Sequence, residues 1–493
     1  MTRLQPSRTT LWILLANLAI VVPLAFILNV WQDEAYSIST TSGSLAHTIH
    51  QAIFFEQNPP FYFVALWFWR HVSEGYAWGR FLSIAATTAT IALVPALVRR
   101  YIPLIPAAYV TLVVAFNPLT IWAAVEMRSY ALAMLLGALV MLTGYDAFAG
   151  GGRRLRGLAA FVVVGAISAY TQYFILFLVA GCGIVLACLR LWKALARYVA
   201  AGVAMLVLFV PMLLILPAQL SAFRGAYVGP ANLLVSFEQL GKIFFLQILP
   251  IDELPHRALV GAVIVGIAAA ALFLGRKQLR GGGPFLAPAL LAASGIVYAV
   301  AVYALGAHFG FRYGAFLFVP AVLTVFSVPG WLAQPARQRT VIAMTAVLVA
   351  ISAVALANTY RAGAKAGDWR RVAAYLGANV KGSEPIVVFQ AENAVPLAYY
   401  YRGPGRIVAL PHPVNFESYD VAQFVVHDAG NVRATLARVG NPSEIWLVEA
   451  GGCRSLNVRY GCGVVEAYVA AHYRTVEERR FYRATVRLLR RSN

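Results

Sequence analysis

Residues 11–37 read LWILLANLAIVVPLAFILNVWQDEAYS, and this stretch ends in two adjacent carboxylates, Asp33 and Glu34. Its apolar part is about twenty residues long, which is enough to cross a bilayer as one helix. Because a charged group is costly in hydrocarbon, two acids directly at the end of a span are typical of a functional position. The stretch therefore predicts a membrane protein with a polar site at one end of its first helix.

Apolar runs of this kind continue through the first three quarters of the chain. Hydrophobic residues make up 60% of the 493 residues and charged residues only 12%, about half the charged share of an average globular protein. Eleven of the 20 acids follow residue 357. We therefore predict a polytopic α-helical membrane protein with about eleven transmembrane helices. The predicted spans lie near 11–30, 79–98, 104–123, 129–148, 157–175, 174–192, 198–217, 257–275, 285–306, 313–332 and 340–357.

Basic residues mark one side of this arrangement. Clusters of arginine and lysine identify the cytoplasmic side of a membrane protein, so the N-terminus is predicted to be cytoplasmic and the C-terminal segment extracytoplasmic. The net charge of +20 follows from this topology, and no nucleic-acid partner is predicted. The clusters are Arg3 and Arg8; Arg99 and Arg100; Arg153, Arg154 and Arg156; Arg190, Lys193 and Arg197; Arg276, Lys277 and Arg280; Arg337 and Arg339.

A change in composition after residue 357 predicts two domains. Residues 1–357 are assigned to the membrane, with outer loops at 31–78 and 218–256, and residues 358–493 to a small extracytoplasmic α/β domain. Cys453 and Cys462 are predicted to form a disulfide there, with a zinc pair as the alternative. The predicted elements of this domain are strands at 385–389, 406–410 and 444–448, helices at 369–380 and 394–401, and an antiparallel strand at 482–489.

Polar residues gather on the predicted outer side in four places. Besides Asp33 and Glu34, they are Glu56 before the prolines of 59–60, Arg128 within Glu126-Met127-Arg128-Ser129-Tyr130, and Arg312 next to Tyr313. A plain structural account remains open for the cations: Arg128 could pair with Glu126, and Arg312 could reach toward lipid headgroups. Together the groups suit a reaction in which a carboxylate deprotonates a hydroxyl while cations stabilise a phosphate leaving group.

These stretches resemble the GT-C glycosyltransferases, in the bacterial branch related to protein O-mannosyltransferases and lipid A aminoarabinose transferases. The resemblance covers residues 10–330 and lies in four motifs that occur in order. They are Asp33-Glu34-Ala35-Tyr36, Asn58-Pro59-Pro60-Phe61-Tyr62, Pro118 followed by Glu126-x-Arg128-x-Tyr130, and Arg312-Tyr313 followed by Pro320.

The resemblance implies transfer of a sugar from a polyprenyl-phosphate carrier, with inversion, to a lipid, glycan or protein acceptor at the outer face of the bacterial inner membrane. It assigns Asp33 to the catalytic acidic position, where it acts as general base or orients the acceptor, and it assigns Glu34 and Glu56 as further catalytic residues. The residues that it assigns to the donor phosphate are Arg128, Arg312, Tyr313 and Tyr62.

A cofactor is less clearly implied. Some relatives bind a divalent metal at the second acidic position, but many of them have a histidine where this chain has Asn58, and His308 is the possible replacement. A metal therefore stays possible and is not assigned. The segment 218–256, which ends with Asp252, Glu253 and His256, would be a mobile loop over the donor site.

Three other functions compete with this one. A transporter or flippase of lipid-linked sugars would concentrate polar groups at mid-membrane, often in repeated halves, and no repeat is seen here. A non-catalytic scaffold would leave Asp33 and Glu56 without a role. An O-antigen ligase or polymerase, which uses a diphosphate-linked donor, would not be expected to carry an Asp-Glu pair directly after its first span.

Overall fold

The structure is a computed structural model that describes residues 7–149, 154–224, 230–250, 254, 256, 284–306, 310–455 and 458–492. Within these, the chain forms two compact units. The first unit contains residues up to Ala25, Asn58–Pro217 and the segment that ends at Thr359. The second contains Phe26–Gln57, part of Ala218–Val228, and the chain from Tyr360 onward. The predicted span 257–275, Asp252, Glu253 and His308 lie outside the described residues.

Membrane-spanning helices dominate the first unit. In the part of the chain that the structure describes, seven helices are long and apolar enough to cross a membrane. Each coincides with a predicted span, which confirms a polytopic helical membrane protein, while the total of eleven stays a prediction. The seven are Arg8–Ile27, Tyr76–Tyr101, Tyr130–Phe148, Trp192–Gln219 (within the helix Trp192–Arg224), Leu286–Leu305, Phe311–Trp331 and Ala336–Tyr360.

Shorter helices account for the other predicted spans in the described residues. Ala107–Phe116 and Pro118–Ala124 form a pair bent by 57°, which would count as one further span. Pro118 begins the second helix of this pair, and the side chain of Asn117 accepts a hydrogen bond from the Leu119 amide at 2.8 Å. The bend therefore follows from a missing donor and a local cap. The remaining helices of this unit are Phe61–Arg70, Arg154–Thr171, Ile175–Cys188 and Leu233–Ile248.

One glycine allows unusually close packing between two of the membrane helices. A Cβ atom at Gly137 would lie 2.3 Å from the backbone oxygen of Phe316, closer than such atoms approach in proteins. Gly137 belongs to Tyr130–Phe148, and Phe316 belongs to the helical turn Phe311–Leu317. Because only glycine fits there, the packing fixes the turn that carries Arg312 and Tyr313 against the helix that begins at Tyr130.

A mixed sheet forms the core of the second unit. Its strands are β1 (Ile386–Phe389), β2 (Ile407–Ala409), β3 (Glu444–Ala450), β6 (Tyr473–Phe481) and β7 (Ala484–Arg491), in the order β2-β1-β3-β7-β6. β1 pairs in parallel with β2 and β3, whereas β7 pairs antiparallel with β3 and β6. Strands β4 (Arg454–Ser455) and β5 (Val458–Arg459) form a separate hairpin. The predicted parallel strands and the antiparallel closing strand are thus confirmed.

Helices cover both faces of this sheet. Val387 and Phe389 lie in one apolar core and Ile386 and Val388 in another, as the alternation of side chains along a strand requires. Burial on both faces explains why these strands are continuous apolar runs in the sequence. Cys453 and Cys462 are bonded, which confirms the predicted disulfide. The helices of this unit are Gln32–Thr40, Leu45–Phe54, Trp369–Asn379, Ala394–Tyr400, Ala429–Ala437 and Cys462–His472.

Candidate active site

Two of the predicted catalytic acids lie on one helix, and the third follows the next helix, Leu45–Phe54. Asp33 and Glu34 are in the first turn of the helix Gln32–Thr40, where the helix dipole favours negative charge. Thr40, at the end of the same helix, donates a hydrogen bond to Glu56 Oε1 at 3.2 Å. Asp33 and Glu56 are partly exposed, whereas Glu34 is completely buried. The structure therefore links Glu56 to the helix that carries Asp33 and Glu34, and it gives Glu34 a different environment from the other two acids.

Glu34 takes part in a buried ion pair. Lys365 Nζ lies 3.1 Å from Glu34 Oε2, and the two side chains are 7% and 0% exposed. Next to this pair, Asn29 Nδ2 donates to the Gly367 carbonyl at 2.9 Å, and Asn29 Oδ1 accepts from the Lys365 amide at 2.9 Å. The residues just before the acidic helix are thus fixed to the segment 365–367. Lys365 has no motif around it, and sequence reasoning did not identify it.

A fourth acid, Glu392, contacts the start of the same helix. Gln32 Nε2 donates to Glu392 Oε1, and the Tyr419 hydroxyl donates to the same oxygen at 3.2 Å. Glu392 is only 4% exposed. Burial, and secondarily the negative charge of Asp33, raise the pKa of Glu392 from 4.5 to about 7, although the two hydrogen bonds act in the opposite direction. This carboxyl group therefore changes its charge near neutral pH.

The sequence did contain one signal for Glu392. It follows directly after the buried strand β1, in the short turn Ala391–Asn393. In open sheets with parallel strands, ligands bind beyond the carboxyl ends of the strands. An acid that directly follows the carboxyl end of a predicted parallel strand is therefore a candidate site residue.

Aromatic side chains pack against one another beside Glu392. The Phe55 ring lies 5.1 Å from Tyr36, 4.9 Å from Phe416 and 5.9 Å from Tyr419, measured between centroids. Gln57 Nε2 also donates to the Tyr419 carbonyl at 3.2 Å. Burial, followed by the charge of Glu392 and then of the other nearby acids, raises the pKa of the Tyr36 phenol well above its ordinary value. Tyr36 therefore stays protonated, as a potential hydrogen-bond donor among carboxylates.

The predicted phosphate-binding residues lie in the first unit, beside aromatic rings. The guanidinium carbon of Arg128 is 5.8 Å from the centroid of Phe63, whose ring also contacts the buried Tyr62 at 5.3 Å. The guanidinium carbon of Arg312 is 5.9 Å from the Tyr130 ring.

Tyr313 joins the same aromatic set. Its ring lies 6.4 Å from Tyr130 and 5.5 Å from Phe174. Arg312 and Tyr313 are thus packed against Tyr130, which is two residues from Arg128 in the chain. Both arginines are partly exposed, and each guanidinium group lies beside an aromatic ring.

A metal site is not formed by the described residues. Among them, no group of three or more histidine, cysteine, aspartate or glutamate side chains could hold a metal ion. His308, the proposed replacement for the ligand missing at Asn58, lies outside this part of the chain.

Two comparisons by sequence found no similarity: no protein-family model matches the chain, and no curated protein does. Solved structures do match. ArnT from Cupriavidus metallidurans in the apo state is 15% identical with a TM-score of 0.55, and the match covers 98% of both chains. The same protein bound to undecaprenyl phosphate is 15% identical with a TM-score of 0.52, covering 97% of this chain and 98% of that one.

The Archaeoglobus fulgidus oligosaccharyltransferase is more distant, at 12% identity and a TM-score of 0.45, covering 94% of this chain and 72% of that one. The match to ArnT extends over nearly the whole chain, and identities this low establish a fold and nothing further. The protein thus has the fold of the GT-C membrane glycosyltransferases, as its four motifs predict.

Proposed function

We propose that this protein is a glycosyltransferase that moves a sugar from a polyprenyl-phosphate-linked donor to a lipid, glycan or protein acceptor at the outer face of the bacterial inner membrane. The observation that carries the proposal is the acidic helix: Asp33 is a partly exposed carboxylate on it, and Thr40 of the same helix donates a hydrogen bond to the partly exposed Glu56. It occurs in a chain with the fold of ArnT, a protein whose structure is known bound to undecaprenyl phosphate.

Asp33 is the general base in this proposal. It removes the proton of an acceptor hydroxyl while that oxygen attacks the anomeric carbon of the sugar, and the bond from that carbon to the phosphate oxygen breaks. The proton ends on the Asp33 carboxylate, and the polyprenyl phosphate leaves with the bonding electron pair. A single displacement of this kind inverts the anomeric centre. Glu56 accepts a hydrogen bond from Thr40, which is on the helix that carries Asp33, and it orients the acceptor.

Arg128 and Arg312 bind the donor phosphate. The guanidinium fork matches two phosphate oxygens at once and stays charged at every relevant pH. The rings of Phe63 and Tyr130 restrict the planes of the two guanidinium groups, so less rotational freedom is lost when phosphate binds. The phenols of Tyr62 and Tyr313 complete this set. Positive charge at the leaving group stabilises the negative charge that develops there in the transition state.

Topology is part of the proposal. The arginine and lysine clusters favour a cytoplasmic N-terminus, with residues 358–493 as an extracytoplasmic domain. This arrangement also gives the Cys453–Cys462 disulfide an oxidising compartment.

The test is sugar transfer by the purified protein from polyprenyl-phosphate donors that carry mannose, glucose, arabinose or galactose. Total envelope extract supplies the acceptors, and each reaction is run with and without EDTA. We expect one donor to be consumed, and Asp33→Asn to lower the rate roughly 10²- to 10⁴-fold, the usual contribution of a general base.

Asp428→Asn is the matched control. It makes the same change of charge in the same unit, at a helix N-cap where asparagine serves as well as aspartate. Transfer that survives Asp33→Asn would show that another group is the base. If no donor is consumed by the wild type, the enzyme proposal fails and the transport alternative takes its place.

A further inference from the structure

We propose that Glu392 is a positioning residue for the transferase reaction, holding the helix that carries Asp33 through its contact with Gln32. The inference rests on the proposed function, because it assigns a role in the same site. It adds a residue of the C-terminal sheet, outside the four motifs, to the machinery around the predicted base.

The backbone around Glu392 is fixed to the neighbouring strand. Gln390 Nε2 donates to the Gly452 carbonyl at 2.6 Å, and Asn393 Nδ2 donates to the Ala450 carbonyl at 3.1 Å. The turn that carries Glu392 is therefore held on both sides by residues at the end of β3. A side chain that projects from so constrained a turn is well suited to fix the position of a partner.

The carboxylate of Glu392 holds two elements at one point. Its Oε1 atom accepts from Gln32, directly before Asp33, and from the hydroxyl of Tyr419. Tyr419 in turn accepts from Gln57 through its backbone carbonyl and contacts the Phe55 ring. The residues on both sides of Glu56 are thus linked to the same carboxylate that holds the start of the Asp33 helix. One buried acid can therefore set the positions of both exposed acids.

The charge state of Glu392 is coupled to its surroundings. The titratable groups that interact with it are Asp33, Tyr36, Tyr419 and Tyr460, and Gln32 is its neutral hydrogen-bond donor. Because the pKa of Glu392 is about 7, the pH profile of transfer should contain an ionisation near neutrality that belongs to this group. A residue that only supported the fold would not add such an ionisation.

The experiment compares Glu392→Ala and Glu392→Gln with the control Glu384→Ala in the full-length purified protein. Glu384 is an acid of the same unit, and it accepts a hydrogen bond from Trp446 Nε1 at 3.1 Å. The change Glu384→Ala therefore removes a side-chain hydrogen bond to β3 of the same sheet, which is comparable to the hydrogen bonds that Glu392→Ala removes. The readouts are kcat, the KM for the donor, the pH profile, and amide hydrogen exchange over residues 31–41.

We expect Glu392→Ala to lower kcat about tenfold to a hundredfold with little change in the donor KM, as a displaced catalytic group does. Exchange over 31–41 should rise in this variant and not in Glu384→Ala. Glu392→Gln keeps an acceptor oxygen for Gln32 and Tyr419, so it should restore most of kcat while losing the ionisation near neutrality. Wild-type kcat in Glu392→Ala, or equal effects of Glu384→Ala, would overturn the inference.

The two proposals fail in distinguishable ways. If the wild type transfers no sugar, the proposed function fails, yet hydrogen exchange still shows whether Glu392 holds the helix. If transfer occurs and Asp33→Asn abolishes it while Glu392→Ala leaves both kcat and exchange unchanged, only the positioning role is wrong. Loss of activity in Glu392→Ala with unchanged exchange would also contradict positioning, because Glu392 would then act directly.

Discussion

The predicted catalytic acids and the predicted phosphate-binding arginines lie in different surroundings. The acidic helix Gln32–Thr40 and the residues just before it are tied by an ion pair and hydrogen bonds to residues more than 300 positions away in the chain, namely Lys365, Gly367, Glu392 and Tyr400. Arg128 and Arg312 lie beside the aromatic rings of Phe63 and Tyr130 within the membrane unit. The first region contains a buried ion pair, so single changes there should have large effects, whereas the second presents partly exposed cations beside rings.

The largest effect on stability should come from breaking the buried ion pair. Lys365→Met removes the lysine cation from the buried Glu34 carboxylate, and removing one partner of such a pair costs roughly 3–5 kcal/mol. We expect a lower melting temperature in detergent, together with loss of transfer, because the helix that carries Asp33 loses its ion pair with Lys365. The double variant Glu34→Gln/Lys365→Met should recover part of this stability, since it removes both charges of the pair.

Arg480→Met is the control for that prediction. Arg480 pairs with Glu478 at 2.7 Å, and the two side chains are 82% and 37% exposed, so this pair should contribute little to stability. If Lys365→Met were as mild as Arg480→Met, the acidic helix would not depend on buried charge.

A smaller effect is expected from the titration of Glu392. The folded protein binds the proton more tightly than the unfolded chain, because the pKa rises from 4.5 to about 7 on folding. The contribution of Glu392 to the free energy of unfolding is therefore largest below about pH 4.5. It is lost as the pH rises through about 7, and the total loss is about 2–4 kcal/mol.

Thermal or denaturant unfolding measures this effect as a difference between wild type and Glu392→Gln. Because glutamine carries no charge at any pH, the variant should gain stability relative to wild type between pH 5 and pH 8. A difference that stays constant over this range would mean that Glu392 is not buried among acids, and the acidic region would be more solvated than the structure shows.

Sequence reasoning predicted the helices and strands better than it predicted the contacts of the site. The spans and strands β1–β3 were predictable because a span lies in lipid and a central strand is buried on both faces, and either leaves a continuous apolar run in the sequence. The strand Tyr473–Phe481 was missed, because it is an exposed edge strand with charged residues such as Glu477 and Arg480 and lacks an apolar face.

Some residues of the candidate site could be predicted from the sequence and others could not. Asp33 and Glu56 were identified because acids beside a span have no structural explanation in the sequence alone. Lys365 and Glu392 were not, because their significance comes from burial and from partners more than 300 positions away. A tertiary contact over that separation leaves no periodic signal in the chain. A single sequence therefore identifies the groups proposed to do chemistry more readily than the groups that hold them.

The mildest variants test the arginines, where ring contacts should make the fold tolerant. Arg312→Lys keeps the charge but loses the planar fork, so we expect weaker binding of undecaprenyl phosphate by about tenfold, the size of one charge-assisted hydrogen bond. The melting temperature without lipid should hardly change. Arg337→Lys is the control, because its guanidinium bonds the Leu332 carbonyl at 2.9 Å in the predicted cytoplasmic loop. Titration with undecaprenyl phosphate, followed by the shift in melting temperature, measures both. Equal lipid affinity in the two variants would remove Arg312 from the donor site. A large loss of stability in Arg312→Lys would mean that the fold depends on the contacts of Arg312, as it is expected to depend on the buried ion pair of Lys365.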